Sequence, residues 1–161
     1  MRYGGSHGFS AVGPVNGVRI FDCDLSWLGG GVLSYQHRYG RLVPMRYGNG
    51  IQFWLGARNV EVFNNRLWQI YDTPLTNQGI DCVGGNPDPD PDPNPDAMDR
   101  VGGSGATASA ASCAMDNISY HHNLALASGM ACVEIWYADS RATMTNVRFE
   151  NNLCANIGDS G

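Results

Sequence analysis

Three strand-like segments share one alternation of apolar and polar residues: IQFW at 51–54, IDCV at 80–83 and VEIW at 133–136. Alternate side chains of a strand point to opposite faces of a sheet, so the second residue of each segment is expected to point outward. If the three strands stack, Gln52, Asp81 and Glu134 form one exposed column. Neighbouring strands lie about 4.8 Å apart, which predicts that the carboxyl groups of Asp81 and Glu134 are roughly 5 Å from each other.

Two carboxyl groups at such a distance can act as a general acid and its partner carboxylate. Their mutual repulsion and partial burial would push their pKa values apart. Cleavage of a glycosidic bond uses a pair of this kind, and a separation of about 5–5.5 Å is typical of the retaining mechanism. Asp72 is a third acid expected near the same groove. The alternative interpretation is a wet polar column that is tolerated by solvent or binds a cation, without catalysis.

Aromatic and polar residues near these acids are candidates for contacts with a substrate. Trp54 and Trp136 form the outward column beside the acids, and their flat apolar faces suit stacking against sugar rings. Gln52 belongs to the acidic column itself. The remaining candidates lie at the corner before the middle strand and in an expected long loop after three glycines: Trp68, Tyr71, Asn77, His37 and Arg38.

The segments that position these residues contain an internal repeat. Four stretches share a turn residue, two alternating apolar positions, an Asn- or Asp-containing corner and a leucine: 17–25, 59–67, 117–124 and 146–153. The alternation predicts one buried face from four pairs of residues: Val18 and Ile20, Val60 and Val62, Ile118 and Tyr120, Val147 and Phe149. The corner asparagines suit a left-handed backbone, and on successive units they could stack as a hydrogen-bonded ladder.

A strand, corner and strand unit repeated every few tens of residues is typical of a β-solenoid. The stretch YGNGIQFW at 47–54, followed by NVEV at 59–62 and WQIYD at 68–72, resembles the right-handed parallel β-helix proteins of the pectin-lyase-like superfamily. The resemblance implies one all-β domain over 1–161, a three-sheet solenoid of roughly four coils with a substrate groove outside one parallel sheet. That superfamily contains lyases, hydrolases, epimerases and non-enzymatic spikes, so the resemblance is specific for fold and weak for activity.

One segment interrupts the repeat. Residues 84–115 start with alternating Asp and Pro and continue as a Gly/Ser/Ala-rich tract. Alternate prolines cannot join a sheet ladder, so a disordered, exposed loop insertion is predicted there. The spaced carboxylates do not form a calcium loop of the usual kind, because the glycine turn and the terminal glutamate are missing.

Charge and apolar runs exclude some functions. The net charge of −5 comes largely from the insertion, and no basic run with interleaved aromatics is present, so nucleic acid is not an expected partner. The longest apolar runs are too short to span a membrane.

Cysteines and histidines do not indicate a metal centre. Five cysteines without CxxC spacing argue against zinc. They are expected to be isolated thiols, with a bridge between Cys82 and Cys113 as the alternative. The adjacent His121 and His122 are expected to point apart on a strand, which would prevent them from sharing a metal.

The ends of the chain predict a truncated piece of a longer protein. No signal peptide is recognisable at the start, and the last strand-like segment is followed by no cap. Solenoids need capped ends, so flanking coils or domains are expected. The protein is also expected to be located outside the cell or in the cell envelope.

The leading functional expectation is a carbohydrate-active enzyme that cleaves a polysaccharide or oligosaccharide with its carboxylate pair, as glycoside hydrolases do. Elimination by a lyase is less favoured, because the chain contains no lysine to act as base and arginine is a poor one. Calcium-assisted elimination stays open and would require Ca²⁺; no other cofactor is expected. The alternative is a non-catalytic structural or glycan-binding β-helix of a surface protein or spike.

Overall fold

The computed structural model describes residues 2–38, 40–54, 56–79, 114–137 and 143–158. Within these ranges every regular element is a β-strand and no helix is present. In chain order the strands are β1 (Arg2–Gly4), β2 (Phe9–Val12), β3 (Val15–Asn16), β4 (Arg19–Phe21), β5 (Asp24–Leu28), β6 (Val32–Arg38), β7 (Arg41–Arg46), β8 (Ile51–Trp54), β9 (Ala57–Phe63), β10 (Arg66–Ile70), β11 (Leu75–Gly79), β12 (Ala114–His121), β13 (Leu124–Ser128), β14 (Val133–Tyr137), β15 (Thr143–Glu150) and β16 (Leu153–Ile157).

Apart from β6 and β7, the strands form three sheets with parallel neighbours. Sheet A has the order β1-β5-β10-β13-β16, sheet B the order β14-β11-β8-β2, and sheet C the order β15-β12-β9-β3, with β4 also paired to β9. From β2 onward the chain passes through B, C and A in turn, and it completes this path at β5, β10, β13 and β16. The described residues therefore form four three-strand units, the first with its sheet C strand divided into β3 and β4, in an all-β arrangement compatible with a β-solenoid.

The strand register of sheet C confirms the internal repeat. Ile20 pairs with Val62, Val62 with Tyr120, and Tyr120 with Phe149. Val62 and Tyr120 are fully buried, while the two outer residues pack against the same core with partial exposure. Alternate residues of all three sheets contribute to this core, which includes Leu67 of sheet A.

Asparagines at the corners between sheets C and A form the predicted ladder. Asn65 Nδ2 donates to Asn123 Oδ1 at 3.0 Å, and Asn123 Nδ2 donates to Asn152 Oδ1 at 2.9 Å. The same oxygens accept backbone N–H groups of the preceding unit. The residue before each asparagine has a positive φ of 54–55°: Asn64, His122 and Asn151. The ladder thus satisfies polar groups at buried corners, each of which would otherwise cost about 1–3 kcal/mol.

The segment after β5 forms an antiparallel hairpin of β6 and β7, so the expectation of a long loop there is wrong. His37 pairs with Leu42 and Arg38 with Arg41, next to the tip. The two strands hydrogen-bond to each other, which satisfies the backbone groups on their facing edges where the segment leaves the parallel sheets. Gly40, with φ of 71°, supplies the left-handed conformation that a tight hairpin turn requires.

Two glycines at the base of the hairpin make a close backbone contact. A Cβ added to Gly29 would lie 2.5 Å from the Cα of Gly48, and one added to Gly48 would lie 2.0 Å from the Cα of Gly29. Only glycine permits such an approach. Because Gly48 O accepts the backbone N–H of Asp72 at 3.1 Å, this contact also fixes the corner that carries Asp72.

A disulfide joins Cys132, directly before β14, to Cys154 in β16. Their Cα atoms are 5.9 Å apart, a usual separation for bridged cysteines. The expectation of isolated thiols is therefore wrong for this pair, whereas Cys23 is free. Cys82 and Cys113 lie outside the described residues, as does the predicted insertion up to residue 113.

The ladder makes a specific prediction about stability. Asn123→Ala should lower the free energy of unfolding by about 2–3 kcal/mol, because it orphans buried donors and acceptors in two neighbouring units. Asn16→Ala removes an exposed asparagine of sheet C whose Oδ1 accepts a hydrogen bond from the exposed Asn59 at 2.8 Å. Because water can replace that exposed bond, this change should alter stability by less than about 0.5 kcal/mol. Urea denaturation followed by circular dichroism measures both, and equal effects would contradict the role given to the ladder.

Candidate functional site

Sheet B aligns Gln52 and Glu134 in one column, with Thr76 as the middle member. Gln52 and Thr76 are both buried, so the prediction that this column is exposed is wrong for them. Gln52 pairs with Thr76, and Thr76 pairs with Glu134. Asp81, the expected middle member, lies outside the described residues. The strand that pairs with β8 and β14 is β11, which begins at Leu75. The register prediction for segment 80–83 is therefore wrong.

The error has a physical cause in the core. In β11 the inward position after Leu75 is occupied by Asn77 rather than by an apolar residue. Asn77 Oδ1 accepts the Tyr120 hydroxyl hydrogen at 2.6 Å, and both residues are fully buried. An apolar alternation rule cannot identify a buried polar pair of this kind, in which Asn77 Nδ2 has no hydrogen-bond partner among the described residues. Asn77 is thus a core residue and does not lie at the edge of a cleft.

The second outward column also has a different middle member. Gln78 pairs with Trp54 on one side and with Trp136 on the other. Trp54 is partly buried, and the side chain of Trp136 lies outside what the structure describes.

Polar side chains on sheet B and at the corner before it form a connected hydrogen-bond network. Asn49 Nδ2 donates to Gln52 Oε1 at 3.0 Å, and Gln52 Nε2 lies 3.5 Å from Gln78 Oε1. Gln78 Nε2 donates to Glu134 Oε2 at 3.3 Å, and Thr73 Oγ1 lies 3.5 Å from the same oxygen. Asn49 Oδ1 accepts the Thr73 backbone N–H at 3.1 Å. These five residues, called here the polar network, connect three units across the outer face of sheet B.

His7 extends the polar network to the first unit. Its Nδ1 accepts the backbone N–H of Asn49 at 3.0 Å. Burial lowers the pKa of His7, since desolvation disfavours the charged ring. A neutral imidazole is the form that can accept this hydrogen bond, so the contact and the burial act together.

Asp72 lies at the corner before β11, beside the polar network. Its carbonyl oxygen accepts the Met130 N–H at 3.2 Å, and its Oδ1 is buried with no hydrogen-bond partner among the described residues. Burial raises the pKa of Asp72, and the nearby charge of Glu134 raises it further. The structure therefore brings together two of the three predicted acids, Asp72 and Glu134.

Sequence reasoning missed Thr73, Thr76, Gln78 and Asn49. Thr76 is fully buried, and its Oγ1 has no partner in the described part of the chain. A repeated pattern at the corner, rather than the alternation within the strand, could have identified these residues. Asn49, Gly50 and Ile51 are followed in the next unit by Thr73, Pro74 and Leu75, which repeats a polar, a turn-forming and an aliphatic residue in order.

The remaining predicted substrate contacts are distributed over three places. Tyr71 precedes Asp72, is 48% exposed and lies against Gly30 at the base of the hairpin. His37 is exposed near the tip, about 16 Å along β6 from Val32 at 3.3 Å per residue. The side chain of Arg38 lies outside the described residues. Of these, Tyr71 is the one adjacent to the acids.

Trp68 lies on sheet A, whereas Glu134 lies on sheet B. Its indole N–H donates to Asp24 Oδ1 at 3.3 Å, and its ring contacts Trp27 edge-on at 6.0 Å. The two tryptophans are 36% and 43% exposed. A shallow depression of about 250 Å³ lies beside them, lined by Asp24, Arg66, Leu67, Trp68, Leu124 and Leu126.

In the described ranges, no group of three or more His, Cys, Asp or Glu side chains converges as a metal site. No helix in those ranges is long and apolar enough to cross a membrane. No protein-family model, curated protein or solved structure matches the chain.

Proposed function

We propose that the chain is a right-handed parallel β-helix of the pectin-lyase-like type and that the outer face of sheet B cleaves glycosidic bonds of a polysaccharide or oligosaccharide. The four three-strand units with parallel sheets support the first part of the proposal. The second part rests on Asp72 and Glu134, and no part of it requires Asp81.

The observation that carries the proposal is the environment of Asp72. Its carboxyl group is partly desolvated, its Oδ1 has no hydrogen-bond partner among the described residues, and a second carboxylate stands beside it. A carboxyl whose pKa is raised in this way keeps its proton at higher pH and can serve as a general acid. Orphaned buried oxygens cost free energy, and a substrate hydroxyl or glycosidic oxygen would remove that cost.

The two acids have different surroundings, which suggests different roles. Asp72 donates its proton to the glycosidic oxygen as the bond breaks. Glu134, held by Gln78 and Thr73 at Oε2, acts as the partner carboxylate, either as nucleophile or as the base that activates water. Which of the two it does depends on the distance between the carboxyl groups.

The polar network positions the partner carboxylate. Asn49 fixes Thr73 and Gln52, and Gln52 in turn contacts Gln78. Both groups that reach Glu134 are therefore held by a second layer of hydrogen bonds, as precise acid–base geometry requires.

Elimination with Ca²⁺ held between Asp72 and Glu134 is the alternative chemistry for the same site. Hydrolysis is favoured, because the whole chain lacks lysine and elimination needs a base for the proton α to a uronate carboxylate. The Cys132–Cys154 bridge supports a location outside the reducing cytosol, at the cell envelope or beyond it.

The proposal predicts that Glu134→Gln and Asp72→Asn each lower kcat/KM by about 10²–10⁴-fold. Activity of the unaltered protein should fall as pH rises through the raised pKa of Asp72, because the general acid then loses its proton. Reducing-sugar release from a panel of polysaccharides measures both effects.

Two carboxyl groups on sheet C provide matched controls. Glu150→Gln and Asp116→Asn remove exposed or partly exposed acids that lie on sheet C rather than on sheet B, and they should leave kcat/KM unchanged. Turnover that survives in both Asp72→Asn and Glu134→Gln contradicts the proposal. Unsaturated products together with loss of activity in EDTA would instead establish the calcium-assisted elimination.

Glycan binding without turnover is a second candidate function, and the exposed pair of Trp27 and Trp68 on sheet A favours it. Large exposed aromatics mark binding surfaces, and indole faces stack on sugar rings. Trp68→Ala should weaken retention of the protein in polysaccharide-containing native gels by about tenfold, which corresponds to about 1.4 kcal/mol. Unaltered retention would remove sheet A from consideration.

A further inference from the structure

Two adjacent histidines at a corner between sheets C and A turn their imidazoles toward each other. The Nδ1 atoms of His121 and His122 are 2.9 Å apart, and the rings are perpendicular at 89°. His122 has a φ of 55°, and this left-handed corner reverses the usual alternation of side chains along a strand. The expectation that the two rings point apart is therefore wrong.

The ring of His121 is fixed on two further sides. Its Nε2 lies 3.3 Å from Glu61 Oε1, and its plane stacks on Phe63 with centroids 5.2 Å apart. Glu61 is itself held by Arg19 Nε at 2.8 Å. An ionised carboxylate can accept hydrogen bonds but cannot donate one. The imidazole proton of neutral His121 therefore lies on Nε2, which faces Glu61. Its Nδ1 lone pair then points toward His122.

We propose that His121 Nδ1 and His122 Nδ1 form a bidentate site for a divalent transition-metal ion that prefers imidazole in tetragonal geometry, namely Cu²⁺ or Ni²⁺. Two nitrogens about 2.0–2.1 Å from a metal and at right angles to each other lie about 2.8–3.0 Å apart, the tetragonal arrangement of these ions. A tetrahedral angle would require about 3.3 Å. The observed 2.9 Å, spanned by a hydrogen bond in the metal-free chain, is compatible with the right angle.

The contact between Glu61 and His121 strengthens the inference. Metal-binding histidines commonly donate their second ring N–H to a carboxylate, which fixes the tautomer and raises the basicity of the ligating nitrogen. Without metal, His122 Nδ1–H donates to His121 Nδ1. On binding, His122 carries its proton on Nε2, which solvent can supply because this residue is exposed. Water completes the coordination, since the described residues offer no third ligand.

The proposed metal site does not involve the carboxylates on sheet B. Titration of the untagged full chain with NiCl₂ and CuCl₂ tests whether the site binds these ions. Calorimetry should show one ion per chain. His122→Ala should weaken binding at least tenfold, and Glu61→Gln should weaken it about 10–100-fold through loss of the orienting carboxylate. The Cu²⁺ electron paramagnetic resonance spectrum should show two coordinated nitrogens.

His37→Ala is the matched control, because it removes an exposed histidine of the hairpin and should leave the affinity unchanged. Circular dichroism confirms that each variant is folded, and His122 is chosen for the main test because its ring is exposed. Affinity that is equal in His122→Ala and the unaltered chain overturns the proposal. A spectrum with one coordinated nitrogen, or loss of binding in His37→Ala, overturns it as well.

Discussion

The parallel register between successive units is the constraint on which this structure depends. Each unit must place its inward residues and its corners directly over those of the next, and the ladder of Asn65, Asn123 and Asn152 fixes this register at one corner. The ladder oxygens bind both the side chain and the backbone of the neighbouring unit. In the first unit Cys23 takes the place of asparagine, and its N–H donates to Asn65 Oδ1. A shift by one residue would send the core face of every strand to solvent.

The same register assembles the proposed site. It places Thr76 between Gln52 and Glu134, and it brings the corner residue Asp72 close to Glu134. The fold gives up some stability here. Because the pKa of Asp72 is raised in the folded protein, its stabilising contribution is present at low pH, where it is protonated, and is lost as pH rises through the folded pKa. Local destabilisation of this kind is expected where function opposes packing.

The sequence predicted sheet C and the ladder well, because Val60, Val62 and their equivalents alternate without interruption and the corner asparagines recur. It failed in β11, where the side-chain oxygen of Asn77 accepts the Tyr120 hydroxyl hydrogen inside the core. It also failed at the disulfide, since an odd number of cysteines does not specify which of them pair. Such features depend on contacts between distant residues, and local patterns do not contain them.

Left-handed corners limited the prediction of side-chain direction in a similar way. The recurring asparagines indicated where these corners occur, and the positive φ of Asn64 and Asn151 agrees with them. In the third unit His122 takes the left-handed position. Strand alternation could not predict that its ring would turn toward the ring of His121. The pairing of His121 with His122 follows from backbone geometry that is visible only in three dimensions.

The proposed function depends on Asp72 and Glu134 forming an interacting pair of carboxyl groups. Titration of the Asp72 carboxyl followed by ¹³C nuclear magnetic resonance tests it most directly, in the unaltered chain and in Glu134→Gln. We predict a pKa above the ordinary value of 3.8 for Asp72. In Glu134→Gln the pKa of Asp72 should be lower, because the neighbouring charge is removed while burial continues to act. An ordinary pKa that is unaffected by Glu134→Gln would contradict it.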